Sequence, residues 1–143
     1  MKYLIVGGVA GGATVAARLR RIDENAEIIL FERGKYVSYA NCGLPYYIGG
    51  TIAERDKLFV QTAQGFTARF NIDIRTEQEV TAIHPKEKTV EITDINTART
   101  YSENYDKLIL SPGAEPLRPG IEGINSDKIF TLRNVPDTDT IKK

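Results

Sequence analysis

The glycine cluster Gly7-Gly8-Val9-Ala10-Gly11-Gly12 limits what this chain can fold into. It follows Lys2 to Val6, a short β-branched apolar run that reads as a buried parallel strand. From Ala13 to about Asp23 the sequence turns helical. Val15, Leu19 and Ile22 recur at i, i+4 and i+7, which predicts an apolar stripe lying on the sheet. Ala26 to Phe31 reads as a second buried strand, and it ends in Glu32.

Strand, glycine turn, helix, strand and acid make the first βαβ unit of a dinucleotide-binding fold. Glu32 follows Gly12 by twenty residues, the distance at which a carboxylate receives a ribose hydroxyl. Val9 stands where the middle glycine of the usual pattern would let the backbone approach a pyrophosphate. Gly7 can still make the turn, Gly12 can admit close helix–strand packing, and Gly8 and Gly11 add freedom. A glycine-rich turn without a nucleotide is the alternative, and Glu32 argues against it. On the same helix Thr14, Arg18 and Arg21 form a second stripe, rotated by about 100° from the apolar one. Guanidiniums three residues apart share a face and could clamp phosphates, although a solvated basic face has the same spacing.

The other informative stretch is Ser38-Tyr39-Ala40-Asn41-Cys42-Gly43-Leu44-Pro45-Tyr46-Tyr47-Ile48-Gly49, which holds the single cysteine. Cys42 precedes Gly43-Leu44-Pro45, a helix entry in which proline is tolerated. A thiol there feels the positive end of the helix dipole, which favours the thiolate. A small buried residue packing as a hydrophobe is the competing reading. One cysteine in 143 residues excludes an intrachain disulfide and fits a reducing, cytoplasmic setting. Nineteen Lys and Arg balance nineteen Asp and Glu, so no global field draws nucleic acid or acidic membranes. The apolar opening is too short for a signal peptide or a membrane span. No metal-ligand pattern is expected.

Further along, Gly49-Gly50 ends the short helix, and Thr62 or the residues near it could cap another that runs through Phe66 to Phe70. Ile72 to Ile74 and Glu79 to His84 read as strands, and Thr89 to Asp94 with Arg99 to Glu103 as a hairpin turned by Asn96-Thr97. His84, before Pro85 at a strand end, reads as structural or solvent-facing. Lys107 to Leu110 reads as a buried strand leading into Ser111-Pro112-Gly113-Ala114. A loop follows to Gly123, then a strand at Lys128 to Leu132, and a helix begins at Asp137.

These motifs together resemble the N-terminal part of a flavin-dependent pyridine nucleotide–disulfide oxidoreductase. The resemblance is to coenzyme A–disulfide reductases with their persulfide-reductase and NADH-oxidase relatives. It is carried by residues 5–12, by Phe31-Glu32-Arg33, by the Cys42 segment and by residues 105–114, with a weaker match at Phe130-Thr131-Leu132-Arg133-Asn134. Tyr39 replaces the phenylalanine usual in the cysteine segment. The fold implied is an α/β, Rossmann-like FAD/NAD(P)-binding three-layer fold with a β-meander, here incomplete. Residues 1–143 would be the N-terminal segment of the FAD-binding domain, with the NAD(P)H-binding and dimerisation domains absent.

The resemblance implies that FAD meets Gly7, Gly8, Val9, Ala10, Gly11 and Gly12, with Glu32 and Arg33 on its adenosine side. Asn41, Val80, Ser111, Pro112, Gly113 and Arg133 are further implied neighbours. Thr14, Arg18, Arg21, Ser38, Asn41 and Arg69 match positions that hold coenzyme A. Cys42 is the implied nucleophile. Tyr47 occupies the position where other disulfide reductases carry a second cysteine, so electrons pass through a mixed disulfide, persulfide or sulfenic acid on Cys42. The expected activity is reduction of coenzyme A disulfide or persulfide with NAD(P)H, in a homodimer when full length. An NADH oxidase or peroxidase using a sulfenic acid, or an inactive FAD-binding remnant, are the alternatives.

Overall fold

A computed structural model describes residues 1–143. They form two compact units, Met1–Tyr39 with Gln61–Pro112, and Ala40–Val60 with Gly113–Lys143.

The first unit is built on β1 (Lys2–Val6), β2 (Glu27–Glu32), β3 (Asp73–Thr76) and β7 (Lys107–Leu110), in the order β3-β2-β1-β7. All three pairings are parallel. Three more strands, β4 (Gln78–His84), β5 (Thr89–Asp94) and β6 (Thr100–Asn104), make an antiparallel meander. Alternate residues of the central strands serve opposite faces. Ile5, Ile28 and Leu30 pack with Ala13, Ala16, Phe66 and Ile72 from the helical side. Leu4, Ile29 and Phe31 pack with Val90 and Ile92 of the meander. Helices, parallel sheet and meander are thus the three layers.

Helix α1 spans Ala10–Ile22, so it begins inside the glycine cluster rather than at Ala13. Its buried face is Gly12, Ala13 and Ala16. The expected stripe is displaced: Val15 and Leu19 are only partly buried, and Ile22 is 67% exposed. The cause is proximity. A Cβ on Gly12 would lie 1.8 Å from the Gly7 carbonyl oxygen and 3.1 Å from Ile5 Cγ2. A helix that close to its strand has room only for small side chains.

Other boundaries shift less. The strand expected at Ile72 to Ile74 is Asp73–Thr76, and Lys128 to Leu132 forms no strand. Those residues pair with no neighbouring strand, and Ile129, Phe130 and Leu132 are exposed. Helix α3 (Ala63–Phe70) is capped as expected by the Thr62 hydroxyl, which accepts from Gly65 N at 3.1 Å. The Arg20 guanidinium donates to the Glu24, Phe70 and Asn71 carbonyls at 2.6–2.8 Å, satisfying carbonyls beyond one helix and at the end of another. His84 Nε2 lies 2.8 Å from Glu91 Oε1 on the meander, in keeping with a structural role.

The second unit holds a 3₁₀ turn at Asn41–Gly43, helix α2 (Leu44–Ile48), a 3₁₀ turn at Arg55–Leu58 and helix α4 (Val135–Ile141). Leu44, Leu58, Val135 and Thr138 are buried. Helix α4 starts two residues before the expected Asp137. A reciprocal cap sets its start: Asn134 Oδ1 accepts from Asp137 N at 2.9 Å, and Asp137 Oδ2 accepts from Asn134 N at 3.2 Å. No helix of the chain is long and apolar enough to cross a membrane.

Candidate active site

The C-terminal ends of the parallel neighbours β1 and β7 bring the glycine turn beside Ser111. Gly7 turns at φ +96°, and a Cβ there would lie 2.0 Å from the Ser111 carbonyl oxygen. Gly7 N donates back to the Phe31 carbonyl at 2.8 Å, and Ser111 N to Val6 at 2.8 Å. A Cβ on Gly11 would come within 2.4 Å of Ser111 Oγ. Val9 precedes α1 without a side-chain cap, and the first turn carries no acidic residue. Its first amide N–H groups therefore lack intrahelical acceptors, and no carboxylate of the helix's own first turn competes for them. That is the geometry and charge a phosphate group needs.

Glu32 is tied to the same turn. Its Oε2 accepts from Gly8 N at 2.8 Å and its Oε1 from Gly34 N at 2.7 Å. Each oxygen keeps a lone pair for a further donor, so a ribose hydroxyl can still be received. Gly34 was missing from the sequence-level reading; its place two residues after the acid was the available signal. Ser38 holds φ +50° and donates its N–H to the Gly8 carbonyl at 2.9 Å, which fixes the far side of the turn. Arg33 is exposed and lies 4.0 Å from Glu79. The Val80 side chain packs into the core against the meander, beside a register shift in β4.

Thr14, Arg18 and Arg21 are all exposed on one face of α1. Thr14 Oγ1 donates to the Ala10 carbonyl at 2.7 Å. Arg69 is exposed on α3, its guanidinium 5.3 Å from the Phe70 ring centre.

Asn41, Cys42, Gly113 and Arg133 belong to the second unit. Cys42 is a free, exposed thiol, which removes the buried-hydrophobe reading. It sits in the 3₁₀ turn, one residue before the α2 N-cap, and α2 has only five residues. So short a helix carries little of the macrodipole expected to favour the thiolate. The buried Oδ1 of Asn41 has no hydrogen-bond partner. An orphaned acceptor beside the thiol suits a ligand that donates there. Arg133 lies against Gly113: its Nε donates to the Ala114 carbonyl at 2.5 Å, and a Cβ on Gly113 would meet its Nη2 at 2.4 Å. Within this unit its guanidinium braces the loop after Pro112.

The family model described as pyridine nucleotide-disulphide oxidoreductase matches residues 1–143. The chain belongs to that family. It is 46% identical to the coenzyme A disulfide reductase of Staphylococcus haemolyticus, over 98% of this chain and 31% of that protein. Among solved structures it superposes on reduced Bacillus anthracis CoADR-RHD with a TM-score of 0.96 and 61% identity, covering 99% of this chain and 26% of that one. The NAD-dependent persulfide reductase from A. fulgidus gives a TM-score of 0.93 and 39% identity, covering 99% and 26% respectively. The chain thus spans about a third or less of these relatives' length.

For a pyridine nucleotide-disulphide oxidoreductase the three layers and the β1 glycine turn are the expected frame. Motif reading did not single out Arg55 and Asp139 of the second unit. Arg55 Nε and Nη2 donate to the two carboxylate oxygens of Asp139, each at 2.7 Å. That bond holds the Asp139 carboxyl below its usual range, against a smaller opposing effect of burial. Neither residue has a sequence neighbour that announces the pair.

Proposed function

We propose that this chain is the N-terminal segment of the FAD-binding domain of an enzyme that reduces coenzyme A disulfide or persulfide with NAD(P)H. On this reading the NAD(P)H-binding and dimerisation domains lie outside the 143 residues, and the whole enzyme is a cytoplasmic homodimer. The observation that carries it is that one chain holds both an uncapped glycine turn, with Glu32 at its edge, and a lone exposed thiol followed by Tyr47. The similarity to the staphylococcal and Bacillus proteins supports it.

Gly7 to Gly12, Ser111 and Pro112 would hold the flavin pyrophosphate, and Glu32 with Arg33 the adenosine side. Val80, Gly113 and Arg133 complete the cofactor neighbourhood, and Asn41 serves cofactor or substrate. Thr14, Arg18, Arg21, Ser38 and Arg69 would receive the phosphates and pantetheine arm of coenzyme A. FAD held there would supply the two electrons that disulfide reduction needs, with NAD(P)H as their source. Cys42 opens the substrate: its thiolate bonds one sulfur, the other leaves as a thiolate, and one half stays on the chain as a mixed disulfide. With Tyr47 in the resolving position, no second thiol of the chain displaces that half.

The test is to incubate the chain with coenzyme A disulfide and measure its intact mass, with and without added FAD. One coenzyme A half should add per chain, and Cys42→Ser should abolish the gain. Added FAD should be retained and should raise the thermal midpoint. No adduct, together with rapid sulfenic acid formation by peroxide, would overturn the substrate reading in favour of a peroxidase.

A further inference from the structure

The chain around Cys42 is braced from both sides by one short segment. Ala40, two residues before the thiol, donates its N–H to the Leu58 carbonyl at 2.8 Å. Gly43, the residue after it, is packed so closely that a Cβ would meet Leu58 Cδ2 at 3.2 Å and Ile52 Cδ1 at 3.3 Å. Leu58 is fully buried. The 3₁₀ turn Arg55–Leu58 therefore fixes the backbone on either side of the nucleophile.

Two charged side chains fasten that arrangement to α4. Arg55 makes its two parallel bonds to Asp139, half-buried on both sides. Lys142 donates to the Tyr47 carbonyl at 2.6 Å, and its ammonium lies 3.6 Å from the centre of the Tyr47 ring. The ammonium satisfies a carbonyl in the last turn of α2, and the ring face adds a cation–π attraction. Helix α4 is itself anchored by the Asn134–Asp137 cap and by Arg133 N, which donates to Asp137 Oδ2 at 2.7 Å. A forked guanidinium–carboxylate bond sets both distance and orientation, which a single contact does not.

We infer that Asp139 is a positioning residue for Cys42, acting through Arg55 and the turn Arg55–Leu58, with Lys142 on Tyr47 as the second fastening. This rests on the reading of Cys42 as the reacting group. Asp139 lies almost a hundred residues beyond the cysteine. Its carboxylate oxygens are engaged by Arg55. Its effect is on how rigidly the thiol is presented.

The experiment follows the reaction of Cys42 with a small aromatic disulfide, in which the thiolate forms a mixed disulfide and a coloured thiolate leaves. With one cysteine per chain the signal has a single source. Second-order rate constants are measured against pH for wild type, Asp139→Asn, Arg55→Gln and the double variant, all at a temperature where circular dichroism shows them folded. Each single variant should change the rate constant by about threefold or more, and the double should change it no further. Asp139→Glu should return much of the wild-type value, and Lys57→Ala, on the same turn but paired only with Glu54, should change nothing. Rate profiles of folded Asp139→Asn and Arg55→Gln that superimpose on wild type would overturn the inference, as would additive effects. Should Asp139→Asn not fold, Arg55→Gln and Arg55→Lys, which both remove the fork from the other side, carry the same comparison. The wild-type rate against that of a free cysteine peptide reports separately on the nucleophile reading, so the two can fail independently.

Discussion

Two glycines with similar backbone angles separate conformational strain from steric exclusion. Gly7 has φ +96° and no space for a Cβ, whereas Gly50 has φ +82° and nothing within 4 Å. Gly50→Ala should cost about 1–2 kcal/mol, the penalty of the left-handed region alone. Gly7→Ala should cost more than that and abolish flavin retention, because Ser111 would have to move. Urea denaturation and flavin absorbance after gel filtration measure the two effects. The role of Gly7 was legible in the sequence, because a glycine after a buried strand has few other uses. The exposure of Cys42 was not, since only the three-dimensional packing of Gly43 and Leu44 decides which way that segment faces.

Helix caps show where sequence reading succeeds and where it stops. Thr62 was legible as a cap because a hydroxyl three residues before a free amide is a local arrangement. Asn134 was passed over in favour of Asp137, although the two form one reciprocal pair. Asn134→Ala removes an acceptor that α4 depends on and should cost about 1 kcal/mol. Thr62→Ala at α3 should cost less, since it removes one bond without a reciprocal partner. Thermal midpoints of the two variants test the ranking. The strand expected at Lys128 to Leu132 failed for the opposite reason. Its apolar pattern is real, but a strand exists only where a neighbour supplies ladder hydrogen bonds, and the four-stranded sheet ends at β7. The stripe of α1 held in part, with Val15 and Leu19 packed against the core and Ile22 exposed, because periodicity reports apolar residues whereas the depth at Gly12 selects small ones.

At the scale of the whole molecule, a charged cluster ties the start of β1 to the sheet edges. Lys2 Nζ lies 2.6 Å from Glu103, and Arg75 Nη1 2.9 Å from the same carboxylate. Burial alone would raise the Glu103 pKa, but hydrogen bonds and charges from Lys2 and Arg75 outweigh it and hold it below its ordinary 4.5. Folding therefore favours the ionised carboxylate. Its contribution is complete above about pH 4.5 and is lost as pH falls through the lower folded value. Burial opposes the Lys2 charge as well, yet Glu103 and Glu27 hold its pKa above 10.5. That contribution is complete below pH 10.5 and is lost as pH rises through the folded value. Urea midpoints should therefore decline at both extremes. Glu103→Gln should lower the plateau by about 1–3 kcal/mol and flatten both limbs.

The strand order also sets a sequence of events. β1 lies inside the parallel sheet, yet one of its partners is β7, with Tyr3 opposite Lys107. Until the chain has been made as far as Leu110, β1 has an open edge beside its most apolar residues. The meander β4–β6, by contrast, pairs residues that are near neighbours in sequence. Local pairings close faster than distant ones. In pulse-labelled refolding the amides of Thr89 to Asn104 should gain protection before those of Leu4 to Val6. The glycine turn, which has Ser111 beside Gly7, is then among the last features to form.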